Sequence, residues 1–497
     1  MGTALLLGVD VGGTAVKVVA FDAAGSVRGA YTEAIPVDTP RPGWAEIAPQ
    51  RWYAAVAAGV RAALAQAGAA PEDVAALGLS NMIGTLAPLD AQGRPLRPAI
   101  AYYDTRSAAQ AAWMLQRAPE ITTITANRVT SGNTGLATIL WLREHEPEVY
   151  RQAALFAQTG TLLFRWLTGE SRVDWTNASF MGLYDYRSRC WSAKLADAFN
   201  VDLDRLAPVA APHSAAGLMP SAAEALGLRP GTPVALGGLD GAMASLGVGA
   251  IHPGEAYAVS GTSEMVAVCL PRPVAAPELL ARWHVVPEVW TLIGAISTAG
   301  AAWDWLARTV YGVEPSQEAY ARMTSEAEAS PLGANGVLFL PHLMGERAPL
   351  WDPHARGVFF GLSLGTTRAD LARAVLEGAA YAMRHNLELI AGYGGLAVRR
   401  VVAVGGGARN ALWRQIKADV WGVELAVSPV REAAALGAAL TAGVATGVYA
   451  NYAQAVERAV AAPTELAAPG QVTRPEPEHR AAYDGAYGLY RTLYPAL

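Results

Sequence analysis

Apolar residues dominate positions 5–9 and, around Lys17, 16–21, and Gly12-Gly13-Thr14 separates the two runs, so the chain opens as strand, glycine turn, strand. The same pattern returns at 256–259 and 265–270 around Gly261-Thr262-Ser263. Two such units half a chain apart predict two related halves. Between them, Trp52, Val56, Val60 and Leu64 share one helical face, Gly68 and Pro71 stop that helix, and 74–79 reads as a strand. Thr367 and Asp370 form a T-x-x-D start signal for a helix reaching about Ile390. A strand at 401–404, a loop at Gly405-Gly406-Gly407 and a helix over 412–420 follow. The alternation predicts α/β layers. Residues 433–456 carry no charge but consist mostly of Ala, Gly and Thr, which predicts a buried helix rather than a membrane span. Tyr483, Tyr487, Tyr490 and Tyr494 fall at helical spacing and predict a docked C-terminal helix. Gly and Ala dominate 237–254, where a hinge between the halves is expected.

Composition narrows the class. The 497 residues suffice for two or more domains with a sizeable core. Hydrophobic residues make up 52% and charged residues 16%, which excludes a disordered chain. A net charge of -5 argues against a nucleic-acid partner. The cations are Arg except for Lys17, Lys194 and Lys417, a bias that base composition accounts for. Cys190 and Cys269 are far apart, which fits a reducing compartment. Asp10 interrupts the first apolar run, and no basic region precedes it, so it reads as a strand rather than a signal peptide. The expectation is a cytoplasmic protein with no membrane partner.

Three glycine motifs carry candidate chemistry. In Asp10–Thr14, glycines let backbone N–H groups approach an anion, Thr14 adds a hydroxyl, and Asp10 can hold hydrated Mg²⁺. Gly261-Thr262-Ser263 repeats that chemistry. Each alone also fits an ordinary hairpin; together, facing across a cleft, they would grip a polyphosphate. Gly405-Gly406-Gly407-Ala408 would let backbone lie flat against a nucleoside, with Asn410 in hydrogen-bonding reach. Asp240, in Gly237-Gly238-Leu239-Asp240-Gly241, is placed for general-base work on a hydroxyl, or is a plain Asp-Gly turn residue. Asp104 and Arg106 could bind sugar hydroxyls or cap the next helix, and Met82 and Ile83 by residue type belong to core. There is no G-x-x-x-x-G-K-[ST], no helix-opening G-x-G-x-x-G and no H-E-x-x-H, which removes Walker NTPases, nicotinamide enzymes and helix-borne zinc sites.

Taken in order, these motifs resemble the FGGY family of carbohydrate kinases over nearly the whole chain. The resemblance includes Gly8 to Thr14, Pro42-Gly43-Trp44, Asp104-Thr105-Arg106, Trp141-Leu142-Arg143-Glu144, Leu167-Thr168-Gly169-Glu170 and Gly261-Thr262-Ser263. Its strongest stretches are Phe339 to Pro349, Arg373 to Gly378 and Gly405 to Ala408 with Trp413 and Asp419. It implies two actin-like (ribonuclease H-like) α/β domains with a cleft between them, a sugar-binding domain over 1–243 and an ATP-binding domain over 244–497. It implies transfer of the γ-phosphoryl group of Mg-ATP to a primary hydroxyl of a sugar or polyol. Asp240 would be the catalytic base. Met82, Ile83, Asp104 and Gly241 would line the sugar. Asp10, Gly12, Gly13, Thr14, Lys17, Gly261, Thr262, Gly300, Gly405, Gly406 and Asn410 would serve the nucleotide, with Asp10 near Mg²⁺. Family members are often homodimers.

Within the family the chain is most similar to xylulokinases, which makes D-xylulose the expected substrate. Two departures stand out: Asn81-Met82-Ile83-Gly84 replaces their usual Gln-Met-His-Gly, and Asp240-Gly241 replaces Asp-Asn. Ile83 and Gly241 cannot make the hydrogen bonds that His and Asn make to the sugar. The Asp-Gly pair is also similar to gluconokinases of the family, a second expectation that needs an Arg facing the pocket. From a different class, the fold would also suit an actin-like ATPase or sugar sensor without kinase activity.

Overall fold

The computed structural model describes residues 4–460 and 472–497. In chain order its framework is β1 (Leu5–Val11), β2 (Ala15–Phe21), β3 (Val27–Ala34), α1 (Pro49–Ala67), β4 (Val74–Asn81), β5 (Ala215–Gly217), β6 (Pro233–Leu239) and α2 (Asp240–Gly247). The second half adds β7 (Glu255–Ser260), β8 (Glu264–Leu270), β9 (Leu280–Trp283), β10 (Trp290–Ile296), α3 (Gly300–Thr309), α4 (Arg368–Gly394), β11 (Arg400–Val404), α5 (Ala411–Trp421) and β12 (Glu424–Val427). It closes with α6 (Ala433–Ala445), α7 (Tyr452–Ala459), β13 (Val472–Thr473) and α8 (Arg480–Ala496).

Two sheets repeat one design. The first has the order β5-β6-β4-β1-β2-β3 and the second β9-β10-β8-β7-β11-β12-β13. In each, a glycine hairpin supplies two central antiparallel strands, β1–β2 and β7–β8. In each, the first hairpin strand then pairs in parallel with a later strand, β1 with β4 and β7 with β11. The internal repeat predicted from two short motifs therefore extends over both sheets. Antiparallel hairpins need only a short turn, whereas each parallel pairing needs a long crossover carrying a helix, which is why helices fill the gaps between the motifs.

Local chemistry explains the element ends. Pro49 opens α1 and Gly68 closes it at φ +61°, a conformation glycine adopts without a Cβ penalty. Thr367 and Asp370 form the predicted capping box, and α4 runs to Gly394, four residues beyond the expected end. The expected single helix over 433–456 is divided into α6 and α7 by a turn. The expected hinge at 237–254 holds the end of β6 and all of α2.

α6 joins the halves. It follows all but the last strand of the second sheet in sequence yet packs on β1 and β4 of the first sheet and on α2. Gly8 and Gly78 make the approach close enough for backbone contact: a Cβ at either would lie 1.9 Å from Ala435 O or 2.0 Å from Ala438 O. The alanine richness of 433–445 is thus the packing surface of a helix wedged at the centre of the molecule. α8 buries Tyr483, Tyr487 and Tyr490 against the second half, as their spacing predicted. Among the described residues no helix is long and apolar enough to cross a membrane.

Candidate active site

The first turn is built by the β1–β2 register, which sets Asp10 opposite Lys17. Gly12 N–H donates to Ala15 O at 2.9 Å and closes the turn, leaving Thr14 exposed at its tip. Gly13 lies beneath Tyr102, whose Cε1 would be 3.3 Å from a Cβ there. Ser80 at the end of β4 donates to Asp10 Oδ1 at 2.6 Å. Burial raises the proton affinity of Asp10, and the Ser80 hydrogen bond and the Lys17 charge oppose it. Lys17 Nζ lies 2.7 Å from Glu432 Oε2, in the segment leading into α6, so this lysine bridges the two halves beside the turn.

Asp240 is the first residue of α2 rather than a loop residue. A negative side chain at a helix start is favoured by the exposed N–H groups there. The strand that delivers it is tightly fixed. Gly237 adopts φ +71°, and a Cβ there would sit 1.7 Å from Leu79 O. The Leu239 N–H donates to Thr176 Oγ1 at 2.9 Å, and the Thr176 hydroxyl in turn donates to the buried Asp174. Asp240 Oδ1 accepts the Gly241 N–H at 2.6 Å. Burial and the negative charge of Asp10 push the Asp240 carboxyl up to about 6, against the pull of Arg282.

Gly241 has a packing reason. A Cβ would lie 2.8 Å from Arg282 Nη1 and 3.0 Å from the Tyr257 hydroxyl. Tyr257 donates to Gly241 O, and Arg282 Nη2 donates to the Tyr257 oxygen at 3.3 Å. Arg282 and Tyr257 fill the space that a side chain at 241 would need. Neither was legible in the sequence, because both lie inside strands of ordinary composition. Tyr102 and Arg347 belong to the same neighbourhood: the Asp240 charge helps to raise the Tyr102 hydroxyl, after burial, while Arg347 opposes it.

The other expected sugar residues are placed differently. Met82 is 1% exposed and sits in the core of the first half. Ile83 is partly buried and packs against the apolar cluster that includes Phe180 and Met243. Asp104 is also 1% exposed; its oxygens accept from Ala45 N at 2.6 Å, Arg106 N at 2.8 Å and Arg106 Nη2 at 2.7 Å. Arg106 pairs with Glu46 and lies 3.7 Å over the Trp44 ring. Asp104 and Arg106 thus lock the Trp44–Glu46 segment in place. They do not cap the following helix, and Arg106 is not the free cation that a sugar acid needs.

The second turn opens on a large cavity. The Gly261 N–H donates to Ser263 O, the Gly300 N–H to Gly261 O and the Ala301 N–H to Thr262 O, at 2.9, 2.9 and 3.0 Å. Gly300 is required because a Cβ would stand 2.5 Å from Gly261 O. Gly261, Thr262 and Gly300, with Gly406, Asn410, Trp303 and Tyr320, line a cavity of about 660 Å³. Gly405, at φ +93°, faces a neighbouring cavity of about 400 Å³ that also borders Gly406 and Glu432. Asn410 Oδ1 caps α5 by accepting from Trp413 N, and its Nδ2 donates to Thr324 Oγ1 at 2.8 Å. Two carboxylates that repel one another, Asp10 and Asp240, thus belong to the first glycine turn and the start of α2, and the second glycine turn borders a cavity of ligand size.

This combination defines a two-domain kinase of the actin-like (ribonuclease H-like) fold. Residues 5–247 match the N-terminal domain of the FGGY family of carbohydrate kinases, and residues 256–446 match its C-terminal domain. The chain is 32% identical to the xylulose kinase of Escherichia coli K12 over 99% of both chains. It is 30% identical to an autoinducer-2 kinase of Yersinia enterocolitica, over 98% of this chain and 94% of that one. A solved xylulose kinase structure from Brucella ovis superposes with a TM-score of 0.88 at 31% identity, covering 99% of each chain. The chain belongs to the FGGY family and is a carbohydrate kinase, a phosphotransferase.

Proposed function

We propose that the chain transfers the γ-phosphoryl group of Mg-ATP to a primary hydroxyl of D-xylulose, giving D-xylulose 5-phosphate and ADP. The observation that carries the proposal is the position of Asp240: first residue of α2, electrostatically coupled to Asp10 of the first glycine turn, with Arg282 behind it. The sugar relatives named for xylulose support the substrate. Residues 1–243 form the sugar-binding domain in this reading and 244–497 the ATP-binding domain.

In the reaction, Asp240 accepts the proton of the sugar hydroxyl as that oxygen attacks the γ-phosphorus. The bond to the bridging oxygen breaks and ADP leaves. Thr14 and the backbone of Gly12 and Gly13 meet the γ-phosphate from one side, Gly261, Thr262 and Gly300 the other phosphates, and Gly405, Gly406 and Asn410 the nucleoside. Two repelling carboxylates with raised proton affinity fit a divalent cation, and Asp10 would hold Mg²⁺ through water. That ion, when bound, neutralises charge on the phosphates. Closure of the halves about α6 would exclude water, the competing acceptor. Ile83 and Gly241 leave the sugar to be oriented by other groups, of which Tyr102 and Arg347 face the Asp240 neighbourhood.

Two expected outcomes follow from these roles. A base must be ionised to act, so kcat/KM for the sugar should fall about tenfold per pH unit below an apparent pKa near 6. A profile flat down to pH 5 would remove Asp240 as the base. Gly261→Val should weaken ATP binding by about tenfold or more, because Gly261 lines the cavity, a Cβ there would meet only Ser263 O at 3.9 Å, and the added side chain would take volume from the phosphates. Calorimetric titration with ATP measures it, and unchanged affinity in a folded variant would displace Gly261 from the phosphate site.

A further inference from the structure

In a chain whose cations are almost all arginine, two of the three lysines stand in ion pairs at this site: Lys17 with Glu432 and Lys417 with Glu264. The second pair is deeply buried. Lys417, on α5, is 3% exposed and Glu264 is fully buried. Lys417 Nζ lies 2.5 Å from Glu264 Oε1 and donates to Ser260 Oγ at 3.0 Å, and the Ser260 hydroxyl donates to Glu264 Oε1 at 2.5 Å. The ammonium also sits 3.9 Å from the Trp413 ring centroid. Glu264 Oε2 has no hydrogen-bond partner among the described residues.

The position of this cluster gives it meaning. Ser260 and Glu264 are the paired residues that close the Gly261-Thr262-Ser263 turn. Ser260 also presses on the nucleoside-side glycines: a Cβ at Gly405 would be 2.5 Å from Ser260 O, and one at Gly407 would be 2.9 Å from Ser260 Cβ. Lys417 rides on the helix that Asn410 caps at the cavity wall. One ammonium therefore ties the base of the phosphate-side turn to the helix carrying the nucleoside-side cap. A buried ion pair is a poor device for stability alone, because apolar residues of similar size do as well or better. Lysine brings a compact point charge with three rotatable donors here, where arginine would bring a rigid planar fork.

We propose that Lys417, acting through Glu264 and Ser260, is a positioning residue for ATP: it sets the spacing between the Gly261–Ser263 turn and the Gly405–Asn410 segment, so that one nucleotide meets both. The proposal rests on the reading of the 660 Å³ cavity as the ATP site. Misplacement of a positioned group by a fraction of the reacting distance is costly, so a raised KM is expected in its absence.

The test uses the full chain with ATP as the varied ligand, and compares Lys417→Met with a double variant, Glu264→Met plus Lys417→Met, whose pair is apolar. Thermal midpoint, KM for ATP, KM for sugar and ADP affinity are measured in each. Expected are a KM for ATP raised about tenfold or more and a KM for sugar within about twofold of the parent in both. The double variant regains thermal stability without regaining ATP affinity. A folded Lys417→Met with unchanged KM for ATP overturns the proposal. So does recovery of ATP affinity together with stability in the double variant, since the pair would then be structural. If the single variant does not fold, the double variant decides by the same criterion, and failure of both to fold also counts against positioning. Absence of ATP or ADP binding in the parent would instead overturn the reading of the cavity.

Discussion

Asp240→Asn should bind ATP like the parent, lose ~10²–10⁴-fold in phosphoryl transfer, and be more stable than the parent at neutral pH. Asparagine keeps the shape and can hold the α2 start but cannot take a proton from the sugar hydroxyl. The stability gain follows from the direction of the Asp240 shift. Its folded-state value, about 6, lies above the ordinary 3.8, so the folded chain holds this proton more tightly than the unfolded one. The parent is therefore favoured while the group is protonated, and that favour is lost as pH rises through about 4 to about 6. At pH 7 the ionised carboxylate costs on the order of 2–3 kcal/mol, which Asn avoids. Urea unfolding of parent and variant at pH 7 and at pH 4 measures this: the difference should be large at the first and vanish at the second. An inactive variant with no neutral-pH gain would keep the base but remove the unfavourable burial of its carboxylate. An active variant would remove the base itself.

The second large effect concerns folding. Gly8→Ala or Gly78→Ala should destabilise the chain by more than ~3 kcal/mol or prevent folding, since the added carbon meets a helix carbonyl rather than a side chain that can move. Gly8 faces Ala435 O and Gly78 faces Ala438 O, and on the other side of α6 a Cβ at Gly437 would lie 2.0 Å from Met243 O. α6 is thus held on both sides by contacts with backbone. Gly392→Ala is the matched control: it lies in α4 with nothing within 4 Å of its Cβ, and should be neutral or slightly stabilising. Chemical denaturation of the three variants gives the comparison. Parent-like stability in Gly8→Ala would mean that α6 can shift, and that the centre of the molecule is looser than its contacts indicate.

The parts of the fold that could be read beforehand are those governed by local rules. Strand alternation around Gly12–Thr14 and Gly261–Ser263, the capping box at Thr367 and the tyrosine spacing of α8 depend on neighbours in sequence, and the elements stand where those residues put them. What was not legible depends on distant partners. Nothing near Gly241 announces that Arg282, forty-one positions on, fills the space beside it, and nothing near Lys417 announces Glu264. Asp240 reads as a loop residue because glycines precede it. The structure starts a helix there because β6 ends against Thr176 and leaves α2 free to begin. Asp104 shows the reverse case: a polar residue in a family motif spends its oxygens on Ala45 and Arg106, which lie apart in the sequence, and so holds a segment in place.

Sugar-dependent phosphoryl transfer by this site is read out by ADP release from Mg-ATP in the presence of D-xylulose, D-ribulose, L-ribulose, gluconate, glycerol, erythritol or no sugar. Turnover with D-xylulose should stand well above the sugar-free rate and above that with every other compound, and should be lost in Asp240→Asn. ADP release that is equal with and without sugar, or that persists in Asp240→Asn, would contradict it.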